Sequence, residues 1–591
     1  MEFRTFDGET LDGVYFLLGN EKNFIYDKDG LSTERCLDFL HSEGQGYKCT
    51  VFRLEFDVNY FVRDLPINDI KRFFNTEVVF YKKYKLQYYR NKIFKIWKDG
   101  KQVIIYDNYN FFNKSFLKVI DLLKIKLTER EKYILQAGKK SRVTSFDTMD
   151  LNEVIEYNKT ECKINNKICD IIAKLMRESF FISNGKKINL YVKSFYGSSA
   201  IANKFLSKFS GVAEANFNYL FCDKSIKKHI ESAYYGGRME ALKVGTFKKC
   251  YKYDINSAYP SILNNLRIIK DVKLNHRFNF QSEKDIKKEN LYYASVFIFD
   301  IENMGLLPHR HRTGLLFFPQ SVTGWFYGVE LLQVLKYAEK DFIDVTIKKE
   351  IKVFLGDKIF NNQIETIYNL RKELKSKNDI KHYVYKIMLN SIYGKFAQKV
   401  GAARFNNFYY AGFITASTRA KLLEAVINNQ KDIIFFATDG ILSKTKLNLP
   451  VNDNLGGWEE IKIKKARVIL SGVYNLLDYE GNVYSGERGF KLDFNKVFSD
   501  ILDKGFSEVE TQLFIGFVYG LKNHIKYGKE DLLKFKPLIK RIIPESNIKR
   551  LFAKIDLQKE NHSVLFDIKD LRQLKFEFDF SEKKEVFRDG L

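Results

Sequence analysis

The chain has 591 residues, of which 45% are hydrophobic and only 7 are proline, so it can fold into about four domains and lacks the composition of a disordered protein. Lys and Arg number 98 against 73 Asp and Glu, and the net charge of +25 favours a polyanionic partner over a merely solvated basic surface. No apolar run long enough for a membrane span, no N-terminal signal core and no C-x-x-C pair is present, which indicates a cytoplasmic protein that is not secreted.

The hydrophobic pattern predicts a mixture of strands and helices along the chain. Strand-like runs are VFRLEFD (51–57), VIIYD (103–107) and YYASVFIFDI (292–301). The predicted helices are Leu151–Ser179, Phe360–Lys377, Asp379–Tyr393, Thr415–Asn429 and Glu508–Lys526. Breaks are expected near 183–187 and near 493–503. This mixture predicts an α/β plus α+β multidomain fold.

Three segments in the first third of the chain carry acidic residues at regular spacings or at an element's end. Asp7 and Glu9 in TFDGETLDG alternate, which puts them on one face of a strand. Asp57 ends the run VFRLEFD, and Tyr157 and Glu161 are spaced i, i+4 on a predicted helix. Each acid alone is typical of an ordinary surface charge. Taken together, four acids can hold metal ions.

The segment YKYDINSAYPSILNN (251–265) joins a strand to a helix through a turn. Asp254 ends the strand-like run, so its carboxylate projects from a rigid edge, and Tyr259 can lie beneath a sugar. The plain alternative is a strand–turn–helix in which Ser257 or Ser261 caps the helix.

The segment YKIMLNSIYGKFAQ (385–398) predicts a helix with one polar face. Lys386, Asn390 and Tyr393 are spaced i, i+4 and i+7, and Arg371 on the preceding helix extends the basic face. Gly394 allows a close backbone approach or ends the helix. A solvated amphipathic helix is the alternative.

The segment IIFFATDGILSKT (433–445) places Asp439 in a turn between two apolar strands. Taken alone, Asp-Gly indicates an ordinary hairpin. A functional role requires a second acid nearby, because a divalent metal binds several oxygens. Asp254 is the candidate for that second acid.

These motifs resemble those of a known enzyme family. D-x-x-S-x-Y-P-S from Asp254, K-x-x-x-N-S-x-Y-G from Lys386 and T-D-G at Asp439 resemble the three polymerase motifs of family-B DNA polymerases. The pattern is most similar to the protein-primed branch of phages, linear plasmids and mobile elements, whose Y-x-G-G motif AYYGGRME (233–240) resembles. The N-terminal acids resemble the D-x-E, N-x-x-F-D and Y-x-x-x-D motifs of the family's exonuclease, and 105–121 resembles a structural segment between the last two.

The resemblance implies an RNase H-like 3′–5′ exonuclease domain followed by a right-hand polymerase with palm, fingers and thumb. The implied division is 1–185 exonuclease, 186–265 first part of the palm, 266–355 an insertion like the terminal-protein region, 356–396 fingers, 397–500 second part of the palm, and 501–591 thumb. The implied function is protein-primed, template-directed DNA synthesis for a viral or mobile-element genome, with proofreading. The implied partners are primer-template DNA, dNTPs, a terminal priming protein, and single-strand-binding or helicase helpers.

The resemblance also assigns roles to individual residues. Two Mg²⁺ ions per active site, with Mn²⁺ as an alternative, would be held by Asp254 and Asp439 for synthesis. Those for editing would be held by Asp7, Glu9, Asp57 and Glu161, with Tyr157 as a further catalytic residue. The implied nucleotide-binding residues are Tyr259, Arg371, Lys386, Asn390 and Tyr393. The implied DNA-binding residues are Tyr234, Gly236, Gly237, Ser257, Gly394, Lys395 and Tyr474.

The sequence departs from the family pattern at several positions. Ala437 stands where the family usually has an acid, and Gly472 stands where the K-x-Y motif has its lysine, which a lysine of 461–467 would have to replace. In the exonuclease motifs Arg53 replaces Asn and Glu161 replaces Asp, which makes proofreading less secure than synthesis.

Chain length bears on strand displacement. Only 53 positions separate Lys386 from Asp439, which leaves little room for the insertion that encircles template in relatives. We therefore expect weaker strand displacement or processivity than in relatives that carry the insertion.

Two other functions remain open from the sequence. One is a catalytically impaired nucleic-acid-binding relative, suggested by Ala437 and Gly472. The other is a nuclease whose polymerase half only grips DNA. Primer extension that is lost in Asp254→Ala and Asp439→Ala variants favours the polymerase, whereas degradation without dNTP incorporation favours the nuclease.

Overall fold

The structure is a computed structural model that describes residues 2–11, 13–144, 150–183, 185–299, 304–311, 314–399, 403–487, 492–523 and 531–544. Within these residues, five clusters of buried apolar side chains form the core, and the largest spans the editing, palm and fingers segments. No described helix is both long and apolar enough to cross a bilayer.

The N-terminal part is built on a six-stranded sheet in the order β1-β5-β9-β8-β7-β6, with helices packed against it. β1 pairs with β5 and β5 with β9 in parallel, and the remaining pairs are antiparallel. The strands of this sheet are β1 (Phe3–Thr5), β5 (Lys48–Val51), β6 (Val78–Tyr81), β7 (Tyr84–Tyr89), β8 (Ile93–Lys98) and β9 (Lys101–Asp107). A separate three-stranded sheet is formed by β2 (Asp7–Leu11), β3 (Val14–Gly19) and β4 (Phe24–Tyr26). The helices are α1 (Thr33–Gly44), α2 (Leu54–Phe61), α3 (Ile67–Phe74), α4 (Phe116–Leu122), α5 (Glu129–Thr144) and α6 (Leu151–Glu178).

A second, antiparallel sheet combines two distant parts of the chain. Its order is β12-β20-β21-β13-β22-β23-β24, so the strand with Asp254 lies beside the hairpin with Asp439. Its strands are β12 (Arg238–Ala241), β13 (Gly245–Ile255), β20 (Ile433–Thr438), β21 (Gly440–Ser443), β22 (Trp458–Leu470), β23 (Val473–Asp478) and β24 (Val483–Glu487). We call this the palm sheet.

The elements between the two sheets connect the N-terminal part to the palm sheet. They are the hairpin β10 (Phe180–Ser183) and β11 (Lys186–Asn189), and the helices α7 (Ser198–Leu206), α8 (Ser210–Leu220), α9 (Lys224–Ser232) and α10 (Ala258–Leu263). The hairpin lies at the break expected near 183–187.

The described residues after α10 and before the palm hairpin form a four-stranded sheet, a short strand pair and four α-helices. The sheet has the order β14-β19-β15-β18. Its strands are β14 (Arg267–Asn275), β15 (Leu291–Ile298), β18 (Ser321–Tyr327) and β19 (Ile343–Lys358), and the short pair β16 (His309–Arg310) and β17 (Leu316–Phe317) lies between β15 and β18 in the chain. The helices are α11 (Gly328–Ala338), which precedes β19, and then the fingers helices α12 (Gln363–Ser376) and α13 (Lys381–Phe396). α14 (Phe408–Val426) then leads into the palm hairpin.

The C-terminal described part packs back on the N-terminal part. It comprises α15 (Phe494–Lys504), β25 (Ser507–Phe514), α16 (Phe517–Lys522) and β26 (Phe535–Ile542). The Tyr60 hydroxyl of α2 donates to the Leu533 carbonyl oxygen at 2.9 Å, and the rings of Phe56 and Phe514 lie 4.9 Å apart. The described residues end at position 544, so most of the predicted thumb, 501–591, lies outside them.

Most of the predicted elements are confirmed, and three predictions are wrong. The strand at 51–57 ends at Val51, and α2 follows because Leu54, Val58 and Phe61 repeat with a helical period and are all buried. The described part of the predicted helix Glu508–Lys526 begins as strand β25. The break expected near 493–503 is instead the helix α15, whose first turn is capped by the Asp493 carboxylate.

Candidate active sites in the palm and the editing domain

The two palm acids lie on neighbouring strands. Asp254 is the register partner of Gly440, and the Ile255 amide donates to the Asp439 carbonyl oxygen at 3.0 Å. The turn is tight, because Thr438 has a positive φ of 60° and the Asp439 amide donates to the Ala437 carbonyl oxygen at 2.7 Å. The hairpin thus places Asp439 next to the strand end that carries Asp254.

The glycine of T-D-G makes room for the neighbouring carboxylate. A Cβ on Gly440 would lie 2.3 Å from Asp254 Oδ1. The Asp254 carboxylate therefore packs directly over the hairpin backbone. The ordinary-hairpin alternative does not explain why position 440 lacks a side chain, whereas the packing of Asp254 does.

Lys252 is a cation of this site that the sequence reasoning missed. Its ammonium group is ion-paired with Asp254 Oδ2. Burial raises the pKa of Asp439, and its own backbone and the Lys252 charge partly offset this rise. The alternation K-Y-D is the signal that could have revealed Lys252, because residues i and i+2 of a strand share a face.

Three tyrosines from three separate segments meet beside the acids. The hydroxyls of Tyr234 and Tyr393 are hydrogen-bonded at 2.8 Å, and the rings of Tyr259 and Tyr393 lie 4.6 Å apart. Burial and the Asp439 charge raise the pKa of Tyr259 to about 12. A Cβ on Gly237 would lie 3.1 Å from the Tyr259 hydroxyl, so this glycine brings the Y-x-G-G backbone close.

The fingers helices bring a guanidinium group to the start of α10. Arg371 Nη1 donates to Ser257 Oγ at 3.1 Å. Ser257 has a positive φ of 50° and does not cap the helix, and Ser261 Oγ donates to the Ala258 carbonyl oxygen, so the capping alternative is wrong for both serines. Burial, together with Arg371 and other cations, lowers the pKa of Lys386.

The other positions predicted on α13 differ in their exposure. Asn390 and Gly394 are exposed, and a Cβ on Gly394 would meet no atom within 4 Å. Lys395, by contrast, is 4% exposed and donates to Gln398 Oε1 at 3.0 Å. Burial and then the Lys92 charge lower its pKa to about 8. Lys395 lies on the side of α13 opposite Lys386, because nine positions are two and a half helical turns, and its contact with DNA stays a prediction.

The segment that aligns with the K-x-Y motif holds a tyrosine but no cation. The Tyr474 ring stacks on Phe435 with ring centroids 4.9 Å apart, and burial and the Asp439 charge raise its pKa. Gly472 occupies a turn with a positive φ of 77°, a conformation in which a lysine would be strained. Its position therefore suits glycine.

A second acidic site lies between β2 and α6. Carboxylate oxygens of Asp7, Glu9 and Glu161 all lie within 4.8 Å of one another, and Glu9 and Glu161 are buried. Asn158 Nδ2 donates to the Asp7 carbonyl oxygen at 3.0 Å and lies 3.5 Å from Glu9 Oε1. Buried carboxylates in such a group require a cation or protons, so the donor set fits divalent metal ions.

The other two predicted editing residues lie outside this group of three carboxylates. Asp57 lies in α2 rather than at a strand end, and its Oδ1 accepts the Tyr15 hydroxyl at 3.0 Å. After burial, the negative charges of Asp57 and Asp7 both raise the pKa of Tyr15 and of Cys162. The Tyr157 ring is fully buried and packs over Gly138, where a Cβ would lie 2.2 Å from it.

The family model described as "DNA polymerase type B, organellar and viral" matches residues 89–405, more than half of the chain. The chain belongs to this family. It is thus a DNA-directed DNA polymerase. Asp254 and Lys386 lie inside the matched range, whereas Asp439 and the acids Asp7, Glu9 and Asp57 lie outside it and are located by the fold.

Similar proteins agree with this membership. A DNA polymerase of Acidianus bottle-shaped virus is 25% identical over 568 residues, covering 91% of this chain and 81% of that protein. The DNA-directed DNA polymerase of Enterobacteria phage PRD1 is 26% identical over 285 residues, 40% of this chain and 48% of that protein. The structure of Phi29 DNA polymerase with primer-template DNA and incoming nucleotide superposes with a TM-score of 0.60 at 12% identity, covering 92% and 99% of the two chains. The predicted fold, an exonuclease domain followed by a right-hand polymerase, is confirmed.

In this polymerase a buried ion pair anchors the Y-x-G-G segment. Arg419 Nη1 donates to the carbonyl oxygens of Tyr235, at 3.2 Å, and Gly236, at 2.5 Å, while Nε pairs with Glu330 Oε1 at 2.8 Å. Thr415 Oγ1 donates to the same Tyr235 oxygen at 2.6 Å. The spacing of Thr415 and Arg419 on one face of a predicted helix could have revealed this anchor, but the sequence analysis gave that helix no role.

Proposed function

We propose that this family-B polymerase extends a primer with dNTPs at the palm acids, and that it replicates a viral or mobile-element genome from a terminal priming protein in the host cytoplasm. The observation that carries the proposal is the packing of Asp254 over the hairpin that holds Asp439. Single-strand-binding or helicase proteins would assist on duplex templates. The division of the chain into domains follows the ranges expected from the sequence.

Asp254 and Asp439 would hold two Mg²⁺ ions, or Mn²⁺, beside the primer end. The site fits this role because both acids belong to one small site. Asp439 is half-buried, which raises its pKa, and a bound cation would favour its charged form. Bound ions would activate the primer hydroxyl and neutralise the triphosphate. Lys252 would balance part of the carboxylate charge, since it already pairs with Asp254.

The surrounding residues would bind the nucleotide and the DNA. Arg371 and Lys386 would bind the triphosphate as charge-assisted donors, and Ser257 fixes the Arg371 side chain in place. Tyr259 would lie under the sugar, where it would exclude a 2′-hydroxyl, with Asn390 and Tyr393 beside it. The residues proposed to contact primer-template DNA are Tyr234, Gly236, Gly237, Ser257, Gly394, Lys395 and Tyr474.

We infer a second activity, 3′–5′ hydrolysis of a primer end, at Asp7, Glu9 and Glu161, with Asp57 and Tyr157 nearby. The three converging carboxylates favour it. An Asp7→Ala, Glu9→Ala double variant should lose degradation of single-stranded DNA and keep primer extension. Loss of both activities would mean that the editing acids support the fold instead.

Primer extension tests the main proposal. The wild-type chain is incubated with Mg²⁺, labelled dNTPs and primed template, and separately with a candidate protein that presents a hydroxyl in place of the DNA primer. We expect labelled product in the first reaction and a nucleotide–protein adduct in the second. DNA binding without incorporation would favour an impaired relative, and degradation alone would favour a nuclease.

A further inference from the structure

The editing domain docks on the fingers directly beside the proposed triphosphate site. The Tyr383 hydroxyl of α13 donates to the Phe111 carbonyl oxygen at 3.0 Å, and the Phe112 ring stacks parallel to the Tyr383 ring at 5.9 Å. Farther along the same segment, Lys124 Nζ donates to Asn378 Oδ1 at 3.0 Å. Residues on both sides of Lys114 are thus fixed to the fingers.

Lys114 lies between these two anchors, and its side chain is exposed. Tyr383 and Lys386 are three positions apart on α13, so a segment that packs on Tyr383 runs past Lys386. Burial lowers the pKa of Lys386 most. The positive charges of Arg371, Lys114 and Lys375 lower it further, in that order of size.

Three further cations therefore lie around Lys386, namely Lys114 of the editing domain and Arg371 and Lys375 of the fingers. Within the described residues, no carboxylate lies within ion-pair distance of Lys114, Arg371, Lys375 or Lys386. The nearest acids of the fingers are already used, because Asp379 pairs with Lys381 at 3.2 Å and Glu373 with Lys377 at 2.5 Å. Clustered like charges without acids repel one another, and a polyanionic ligand relieves that repulsion.

We propose that Lys114 of the editing domain is a nucleotide-binding residue that completes, with Arg371 and Lys386 of the fingers, the site for the triphosphate of the incoming dNTP. This inference rests on the proposed function of the palm acids and the fingers. The triphosphate is favoured over the phosphates of a DNA backbone because Arg371 is fixed to Ser257, three positions after Asp254. The phosphate site thus opens toward the reacting end of the nucleotide.

The arrangement would link editing and synthesis through the bound nucleotide. A correct dNTP would be held by both domains at once, so its binding would stabilise the docking of the segment around Lys114 on α13. A pyrophosphate product would be contacted by the same cations before its release.

The test compares Lys114→Gln with Lys114→Arg and with Lys118→Gln, all in the full chain. Lys118 is exposed on α4, four positions after Lys114 in the chain, and serves as the matched control. Single-nucleotide incorporation gives KM and kcat for dNTP, and fluorescence anisotropy without nucleotide gives the Kd for primer-template. Thermal unfolding checks the fold of each variant, and Lys386→Gln tests the fingers site itself.

We expect Lys114→Gln to raise the KM for dNTP by about tenfold, the scale of one charge-assisted contact, with kcat and the DNA Kd changed less than about twofold. Lys114→Arg should retain most of the affinity, and Lys118→Gln should match wild type. An unchanged KM in Lys114→Gln, while Lys386→Gln raises it, overturns this inference alone. A raised DNA Kd with unchanged KM also overturns it, by assigning Lys114 to the DNA backbone. If neither lysine variant affects KM, the proposed fingers site fails as well.

Discussion

Gly440 lies directly opposite Asp254 in the palm sheet, and a Cβ at position 440 would come within 2.3 Å of Asp254 Oδ1. The Gly440→Ala variant should therefore displace the carboxylate by a fraction of an ångström to one ångström. We expect primer extension to fall by about 100-fold, because catalysis is sensitive to such displacements. Single-turnover incorporation measures the loss, and an unchanged Kd for primer-template shows that the fold is kept. Near wild-type incorporation would mean that the Asp254 carboxylate is not held against the hairpin.

The anchor of the Y-x-G-G segment predicts separable effects on stability and on DNA binding. Arg419→Met alone should destabilise the chain by about 3–5 kcal/mol, because it leaves Glu330 buried without its partner. The double variant Arg419→Met, Glu330→Leu should recover most of that stability by replacing the pair with apolar groups. DNA binding should stay weak in the double variant, because the carbonyl oxygens of Tyr235 and Gly236 have lost their donor.

Denaturant unfolding and anisotropy on the same variants decide this point. Recovery of both properties in the double variant would show that Arg419 acts only through the stability of the core. Recovery of neither would show that the surrounding helices need the charged pair itself.

Asp107 predicts a pH dependence of stability in the editing domain. Burial raises its pKa to about 7, although its Oδ1 accepts the amides of Tyr109 and Arg53. Because the folded chain keeps this proton while the unfolded chain loses it near pH 4, this group lowers stability as pH rises from about 4 to about 7. The full loss is up to about 4 kcal/mol at about 1.4 kcal/mol per pKa unit.

The Asp107→Asn variant retains an oxygen acceptor for both amides and cannot ionise. It should unfold at a higher temperature than wild type at pH 8, and this advantage should be less than half as large at pH 5, where only the first part of the loss has occurred. Melting curves at the two pH values check this, and an equal shift at both would contradict the assignment of the ionisation to Asp107.

The connection between α13 and α14 predicts limited strand displacement. α13 ends at Phe396 and α14 begins at Phe408, so the stretch between them is short. We expect extension on a gapped duplex to stop when the primer reaches the downstream strand, and extension on single-stranded template to continue. Addition of a single-strand-binding protein or a helicase should restore synthesis through the duplex. Efficient displacement without such helpers would refute the prediction.

Sequence reasoning located the acids well where local patterns determine their position. Asp7 and Glu9 alternate on a strand, and Asp439 lies in a hairpin turn, as the periodicity requires. It misplaced Asp57, because the run from Leu54 fits a helix and a strand equally until burial is known. The burial of Lys395 was also beyond it, since a single helix does not reveal which side its neighbours cover.

Contacts between distant segments were beyond the sequence. The pairing of Arg419 with Glu330 joins α14 to α11, and the hairpin with Asp439 comes to lie beside Lys252 and Asp254 from nearly two hundred positions away in the chain. Local spacing places Lys252 beside Asp254 and Arg419 beside Thr415, but it does not show the groups that distant segments bring to them. The same is true of Lys114, whose place beside Lys386 follows from the docking of two domains.

The most direct test of the central claim is single-nucleotide incorporation by Asp254→Asn and Asp439→Asn, with the exposed Asp503→Asn as the matched control. Each variant is assayed under single-turnover conditions with Mg²⁺ on primer-template that it binds with wild-type affinity. We predict losses of more than about 1,000-fold in both palm variants and no loss in the control. Incorporation within about tenfold of wild type by either palm variant would contradict a polymerase active site built on this pair of acids.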